Sequence, residues 1–277
     1  MTMKTIAKNN FDNSKTNCVF GTYEWANETV NIIDGCKHDC KYCYSKAMAI
    51  RFKRKTPANW KEEKIRNNGS LNYSKKVDGT IMFPSSHDIH PEHLSYHIDF
   101  IERLLEHGNR LLIVTKPHFD SIKTICEQFI DYRDKILFRF TIGSINSDIL
   151  KFWEPGAPDF NERLKVLKYA FNKNFQTSVS CEPMLDNNIV GVIDAVYPFI
   201  TDSIWLGKAN YLIKRLKFNK ADDHLTMKKA LQLLNWQSDD NIQDLYDIYK
   251  DDAKIKWKES IKSIVGIKIP IQSGLDI

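Results

Sequence analysis

The feature that most constrains the fold of this chain is the alternation of short apolar runs with amphipathic helical patterns. The β-rich runs are Thr29–Ile33, Thr80–Phe83, Leu111–Thr115, Ile136–Ile142, Thr177–Cys181 and Ser203–Leu206. The helical patterns between them cover residues 45–66, 92–107, 120–131, 160–173 and 190–200. Such alternation predicts an α/β fold with a parallel sheet and right-handed crossovers. Six units predict a partial (βα)6 TIM-type barrel, in which functional side chains lie at the C-terminal ends of the strands.

Beyond residue 208 the strands give way to helical patterns, for instance at 226–235, 239–250 and 255–263. We therefore predict a barrel core over residues 1–207, with about the first 25 residues as a lead-in. Residues 208–277 are predicted to form a helical C-terminal extension packed on that core. The length of 277 residues is sufficient for one large barrel or for two ordinary domains.

The cysteine distribution indicates metal binding rather than a disulfide framework. Three of the six cysteines fall within eight residues, and the others are scattered. Secreted disulfide scaffolds are short and cysteine-dense, whereas clustered cysteines in a reducing compartment indicate metal ligands. The sequence contains neither an apolar run of membrane-spanning length nor the apolar stretch of a signal peptide at its start. The expected location is the cytoplasm, with no membrane partner.

Positive charge is concentrated in two segments of an otherwise acidic chain. Residues 51–76 carry a net charge of +7 and residues 208–220 carry +5, whereas the whole chain carries +5. Aromatic residues are interleaved with this charge, which favours a nucleic-acid or nucleotide partner, although two solvated faces would show the same pattern. The first and last strands of a six-stranded partial barrel flank a lateral opening. Both basic segments are therefore expected beside that opening.

The motif Cys36-x3-Cys40-x2-Cys43 follows the first predicted strand and has an aromatic residue, Tyr42, before its last cysteine. Three closely spaced thiolates bind three irons of a [4Fe–4S] cubane and leave the fourth iron open. An open iron can chelate the amino and carboxylate groups of S-adenosylmethionine (SAM). The alternative is a structural zinc site with His38 or His87 as the fourth ligand. Zinc sites usually pair two cysteine knuckles, and the sequence has no second one.

The cysteine motif and its surroundings resemble the radical SAM superfamily, and further segments resemble its spore photoproduct lyase-like branch. These segments are Phe83–Pro91, Val114–Pro117, Phe138–Ser144 and Trp153–Pro158, with Arg163 on the following helix. The resemblance covers about residues 29–206. It implies a [4Fe–4S] cluster on the three cysteines, SAM as cosubstrate, and an electron donor of the flavodoxin or ferredoxin type.

The resemblance also implies which residues contact SAM: Tyr42, Ser86, Asp88, Lys116, Thr141, Ser144 and Arg163. Lys116 or Arg163 would supply the cation for the SAM carboxylate, and Thr141 and Ser144 would bind the ribose hydroxyls. Ser86 and Asp88 would accept from the SAM amino group. Each has a plainer alternative. Lys116 would be a solvated loop residue, Arg163 an ion-pair partner of Glu154 or Glu162, and Asp88 a helix cap.

On the substrate side, Cys181 and Glu182 follow one another at the end of the fifth predicted strand and are candidate catalytic residues. Cys181 is equally compatible with a core position. Spore photoproduct lyase uses a cysteine near its second strand as hydrogen donor, and no cysteine lies between Cys43 and Cys126 here. Repair of thymine dimers is therefore not the expected reaction.

The predicted function is a radical SAM enzyme that cleaves SAM reductively to a 5′-deoxyadenosyl radical. That radical would abstract hydrogen from a substrate, for which nucleic acid or a nucleotide is the preferred class. Two alternatives stay open. One is a non-catalytic zinc- or Fe–S-containing nucleic-acid-binding protein, and the other is a radical SAM enzyme that acts on a small metabolite.

Overall fold

The computed structural model describes residues 18–66 and 73–275. The strands are β1 (Glu28–Thr29), β2 (Ile33–Asp34), β3 (Lys64–Ile65), β4 (Thr80–Phe83), β5 (Arg110–Thr115), β6 (Ile136–Thr141), β7 (Gln176–Cys181), β8 (Ile204–Leu206) and β9 (Ile255–Trp257). The helices are α1 (Tyr44–Arg51), α2 (Leu94–Glu106), α3 (Phe119–Gln128), α4 (Ser147–Trp153), α5 (Phe160–Asn172), α6 (Ile189–Val196), α7 (Leu212–Asn219), α8 (His224–Trp236), α9 (Asp239–Tyr249) and α10 (Glu259–Val265). No helix among them is both long and apolar enough to cross a membrane.

Seven strands form one open sheet in the order β1-β4-β5-β6-β7-β8-β9, and every neighbouring pair is parallel. This arrangement confirms the predicted α/β partial barrel. Strands β5, β6 and β7 are almost wholly buried, as expected for parallel strands with apolar layers on both faces. Because all strands run in the same direction, the residues that follow them meet at one edge of the sheet.

The first predicted strand and the helix after it are both shorter than the sequence patterns indicated. Only β1 joins the main sheet, whereas β2 pairs antiparallel with β3. The predicted helix 45–66 ends at Arg51, and Lys53 follows with a φ of +56°. Pro57 lies just beyond and is incompatible with a continuing helix.

The C-terminal pattern at 255–263 is a strand followed by a helix, rather than the single helix that was predicted. Strand β9 pairs with β8 through three residues, and α10 begins two residues later. Only one of the three residues of β9, Lys256, is not buried. The alternation of buried and accessible residues is therefore too short to be distinguished from a helical pattern. The sheet therefore continues beyond residue 207, and the domain boundary proposed there stays a prediction.

The prediction that strands one and six flank a lateral opening is wrong, because β8 is not an edge strand. The edges are β1 and β9, and the two ends of the described chain are bonded to each other beside them. The backbone N–H of Val19 donates to Pro270 O at 2.8 Å, and that of Gly274 donates to Tyr23 O at 2.8 Å. The side chain of Lys258 donates to Gly21 O at 2.8 Å. Residues 19–25 therefore close the gap between the first and last strands.

The second basic segment, residues 208–220, lies against the cysteine loop. Helix α7, which covers residues 212–219 of this segment, packs against α1. The Arg215 guanidinium lies 5.4 Å from the centre of the Tyr44 ring. The amide of Asn219 donates to the Cys43 carbonyl at 3.0 Å, which places α7 directly on the cysteine loop.

Candidate functional site

A cavity of about 540 Å³ lies at the C-terminal edge of the sheet. Its walls combine residues that follow five different strands with residues from the cysteine loop and from both ends of the described chain. The predicted residues that line it are Cys40, Tyr42, Cys43, Lys116, Thr141 and Glu182. The fold thus brings six of the twelve candidate residues to one cavity, although they are spread over about 140 positions in the sequence.

The backbone of the cysteine loop forms hydrogen bonds with three neighbouring segments. The N–H of Cys36 donates to Trp60 O at 3.1 Å, that of Lys41 donates to Trp153 O at 2.9 Å, and Asn219 binds from helix α7. Cys43 is the N-cap of α1, and its Sγ accepts the backbone N–H of Lys46 at 3.3 Å. An N–H directed at sulfur stabilises thiolate character, which metal binding requires.

Two glycines allow neighbouring backbone to approach the cysteine loop closely. A Cβ on Gly156 would lie 2.2 Å from Lys37 O, so the Glu-Pro-Gly-Ala-Pro segment contacts the loop only because residue 156 has no side chain. Gly35, immediately before Cys36, has a φ of +100°, and a Cβ there would lie 2.7 Å from Trp60 O. Both contacts fix the position of the loop relative to the sheet.

A fully buried ion pair lies behind the cavity wall. Arg163 Nη2 is 2.5 Å from Glu154 Oε2, and the remaining Arg163 nitrogens donate to the carbonyls of Pro158 at 2.8 Å and Thr141 at 3.0 Å. The Tyr42 hydroxyl donates to the other Glu154 oxygen. Burial by itself raises the pKa of Glu154, but Arg163 and Lys116 outweigh it and hold that pKa below its usual value. Arg163 therefore occupies the ion-pair position that was its alternative interpretation.

Lys116 follows β5 and lines the cavity beside the cysteines. Its Nζ is 4.0 Å from Glu154 Oε1 and 6.0 Å from the centre of the Tyr42 ring. Burial by itself lowers the pKa of Lys116, but Cys40 and Glu154 together raise it above its usual value. Lys116 is therefore a cation at neutral pH, with its charge next to the thiols.

Asp88 does not line the cavity. Its carboxylate accepts from His38 Nδ1 at 3.0 Å, from the backbone N–H of Lys116 at 2.9 Å, and from the Thr115 hydroxyl. These bonds connect the cysteine loop to the end of β5. The structure therefore places Asp88 where it positions the loop and Lys116, instead of capping a helix.

Three further predicted residues lie away from the cavity. Ser86 accepts from Arg66 at 3.3 Å and faces a smaller neighbouring cavity, whereas Ser85 lines the main one. Ser144 is buried and donates to Asp186. Cys181 is fully buried in the apolar core, and its burial raises the pKa of its thiol.

Glu182 lines the same cavity, next to residues that the sequence patterns did not single out. Lys258 Nζ is 3.7 Å from Glu182 Oε2, 3.7 Å from Glu259 Oε2 and 2.6 Å from Glu24 Oε1. Burial raises the pKa of Glu182, and Lys258 partly offsets that rise. Lys258 follows β9 as Lys116 follows β5, so recognition of the short strand β9 was the missing signal.

The donor set of this loop fits an iron–sulfur cluster. Cys40 and Cys43 both lie close enough to Cys36 to raise the pKa of its thiol, and both of them line the cavity. Among the residues described, no three His, Cys, Asp or Glu side chains are arranged to hold a single metal ion. Cys126 and Cys181 are core residues, and Cys18 belongs to the segment beside Pro270.

Comparison with known families gives one match, and it covers more than half of the chain. Residues 30–188 match the model of the radical SAM superfamily. No match was found among curated proteins.

Several solved structures share this fold. Spore photoproduct lyase complexed with dinucleoside spore photoproduct superposes with a TM-score of 0.53 at 14% identity, covering 83% of this chain and 75% of that one. A variant of that enzyme with bound SAM and dinucleoside spore photoproduct gives a TM-score of 0.55 at 14% identity, covering 88% and 79%. At such identities the similarity shows the common fold.

Proposed function

This chain belongs to the radical SAM superfamily, and on that premise we propose that Cys36, Cys40 and Cys43 bind its [4Fe–4S] cluster. The chain is accordingly an enzyme that uses a [4Fe–4S] cluster and SAM. The observation that carries the assignment is the loop itself, since two of its three thiols line a cavity of about 540 Å³ beside a buried cation. When bound, the cluster and SAM supply reductive cleavage of SAM and the radical chemistry that follows.

Within the cavity, we assign binding of the SAM carboxylate to Lys116. It is a cation that lines the cavity and acts electrostatically on Cys40 and Cys43, and a lysine contributes a point charge to a carboxylate. Thr141 and Ser85 are two of the short polar side chains in the cavity wall, and we assign them to hydroxyl or amino groups of SAM. Arg163 holds Glu154, and Glu154 in turn accepts from Tyr42, so these three residues fix the wall against which SAM would lie.

We assign the part of the wall around Glu182 to the substrate. Glu182 is an ionisable group that lines the cavity, and its raised pKa suits a residue that exchanges a proton or accepts a hydrogen bond. Cys181 is a less suitable hydrogen donor, because its side chain is fully buried in the core.

Nucleic acid is the substrate class that the surroundings of the cavity favour. Lys208 and Arg215 of the second basic segment line the cavity, and so do the exposed rings of Phe20, Tyr23 and Tyr44. Cations beside stacking surfaces are typical of single-strand recognition, and a base must leave its stack to reach an enclosed site. The fold shared with a lyase that binds a dinucleoside photoproduct agrees with this proposal.

Radical SAM enzymes require a reductant, for which we propose a flavodoxin- or ferredoxin-type protein. We also propose that the enzyme works in the cytoplasm, where a reducing environment keeps the three cluster thiols free of disulfides.

The decisive experiment is anaerobic reconstitution with iron and sulfide, followed by reduction with dithionite in the presence of SAM. Formation of 5′-deoxyadenosine, followed by chromatography, is the expected result. A matched sample of Cys40→Ala should form none. If wild-type protein takes up a cluster and binds SAM but forms no 5′-deoxyadenosine, the proposed reaction is wrong.

A further inference from the structure

A second cavity of about 210 Å³ adjoins the main one, and Tyr44 and Ser45 line both. Its other walls include Asp34, Arg54 and Arg66. A group bound in the smaller cavity would therefore lie next to a group bound at the mouth of the main one, separated by the first turn of α1.

The smaller cavity carries an excess of positive charge. Arg66 donates through Nε to Asp34 Oδ1 at 3.0 Å and through Nη2 to Ser86 Oγ at 3.3 Å, so its guanidinium is held in a fixed orientation. Arg54 Nη1 is 3.8 Å from the same Asp34 oxygen, which is beyond hydrogen-bonding distance. Two guanidinium groups thus share one carboxylate, and the remaining positive charge favours an anion.

A buried donor without a partner supports a ligand in this cavity. Trp60 lines it and is only 3% exposed. Within residues 18–66 and 73–275, the indole Nε1–H of Trp60 has no hydrogen-bond acceptor. A buried N–H without an acceptor is costly, and an oxygen of a bound anion would satisfy it.

We propose that the smaller cavity is a phosphate subsite, in which Arg54 and Arg66 bind one phosphate of a nucleic-acid strand. This inference rests on the proposed nucleic-acid substrate and specifies how that substrate is held. The fork of an arginine binds two phosphate oxygens at once, which a lysine cannot do. The nucleotide next to the bound phosphate enters the main cavity, and the Tyr44 ring, 57% exposed between the two cavities, stacks on a base.

The test measures binding of a single-stranded 12-nucleotide oligothymidylate to the reconstituted enzyme by fluorescence anisotropy at several salt concentrations. Arg54→Ala should weaken binding about three- to tenfold and should flatten the salt dependence by about 0.7 in slope, as loss of one single-strand phosphate contact requires. Arg54→Lys should recover only part of the affinity. Arg51→Ala is the matched control, because Arg51 is also exposed and lies only three residues away, at the end of α1, but lines neither cavity.

Three outcomes separate this inference from the function on which it rests. If Arg54→Ala and Arg51→Ala have the same effect, the phosphate subsite is overturned while nucleic-acid binding stands. An uncharged methylphosphonate oligonucleotide should bind wild type and Arg54→Ala equally weakly, and a remaining difference between them would also overturn it. If wild type binds no oligonucleotide at low salt, both the subsite and the nucleic-acid substrate are wrong. The cluster chemistry is tested separately, by formation of 5′-deoxyadenosine without oligonucleotide.

Discussion

The two walls of the main cavity are built in different ways. The cluster wall consists of Cys40, Tyr42, Cys43 and Lys116, whereas the terminal wall consists of residues 20–23 and Trp25 together with Glu182, Lys258 and Glu259. The cluster wall comes from one short loop and one strand end, and a buried ion pair supports it from behind. Most of the terminal wall comes from opposite ends of the described chain. Ion pairs between Lys258 and three carboxylates connect these two ends.

This difference indicates that the two walls have different functions. The cluster wall has its charges paired and its backbone tied to three neighbouring segments, as expected of a part that holds a cofactor in one geometry. Three carboxylates surround Lys258 of the terminal wall, and Lys262 contacts only one of them, Glu24, at 3.5 Å, so the properties of this wall depend on proton occupancy. The predictions below test whether damage to one wall leaves the other intact.

The largest effect is expected from loss of a cluster ligand. Changing Cys36, Cys40 or Cys43 to Ala should reduce bound iron from about four per chain to near zero, because a cubane held by two thiolates is not retained. Iron and sulfide analysis of reconstituted protein measures this, with Cys126→Ala as the control that keeps its iron. A requirement for Cys126 would contradict the three-thiolate site.

Removal of Arg163 should be the most destabilising change behind the cluster wall. Arg163→Met leaves Glu154 buried without its closest cation, and such losses cost about 3–5 kcal/mol of unfolding free energy. Urea denaturation measures the change. Lys123→Ala breaks the exposed pair with Glu127 and should cost less than about 1 kcal/mol. If the two variants are equally stable, the buried pair does not support the wall.

Lys116 and Lys258 distinguish the two walls most directly. Lys116→Ala should weaken SAM binding by roughly ten- to a hundredfold without loss of iron, because a charge-assisted contact is worth about 1.5–3 kcal/mol. Lys258→Ala should leave SAM affinity nearly unchanged, since Lys258 belongs to the terminal wall. Calorimetric titration of SAM into both reconstituted variants provides the comparison, and equal losses would remove the proposed division.

The smallest effect is a pH dependence of the terminal wall. Burial and the neighbouring Glu259 raise the pKa of Glu24 to about 8. A raised carboxyl pKa adds stability that is complete below the pKa of the unfolded chain, about 4.3, and is lost as the pH rises through 8. The melting temperature of the wild type should therefore fall more between pH 6 and pH 9 than that of Glu24→Gln. If the melting temperatures of the two proteins change in parallel with pH, Glu24 does not titrate in this range.

Much of the fold followed from local patterns. Strands β4 to β8 were located to within one residue at either end, because each is a short apolar run between turn signals. The weaker elements were misjudged for a physical reason. Strand β9 has only three residues, too few to show a strand periodicity, and helix α1 was predicted too long because it ends at Arg51, before the positive φ of Lys53.

By itself, the sequence determined the cluster wall. The spacing of three cysteines, and a lysine at a strand end, are local properties that parallel strands place at one edge of the sheet. Only the tertiary structure decided the rest. It showed that Arg163 pairs with Glu154, that Asp88 supports the loop, and that Ser85 rather than Ser86 faces the cavity. It also brought Lys258 to Gly21 across 237 positions. Contacts of that kind depend on how distant segments pack beside the edges of the sheet, which no local pattern of side chains encodes.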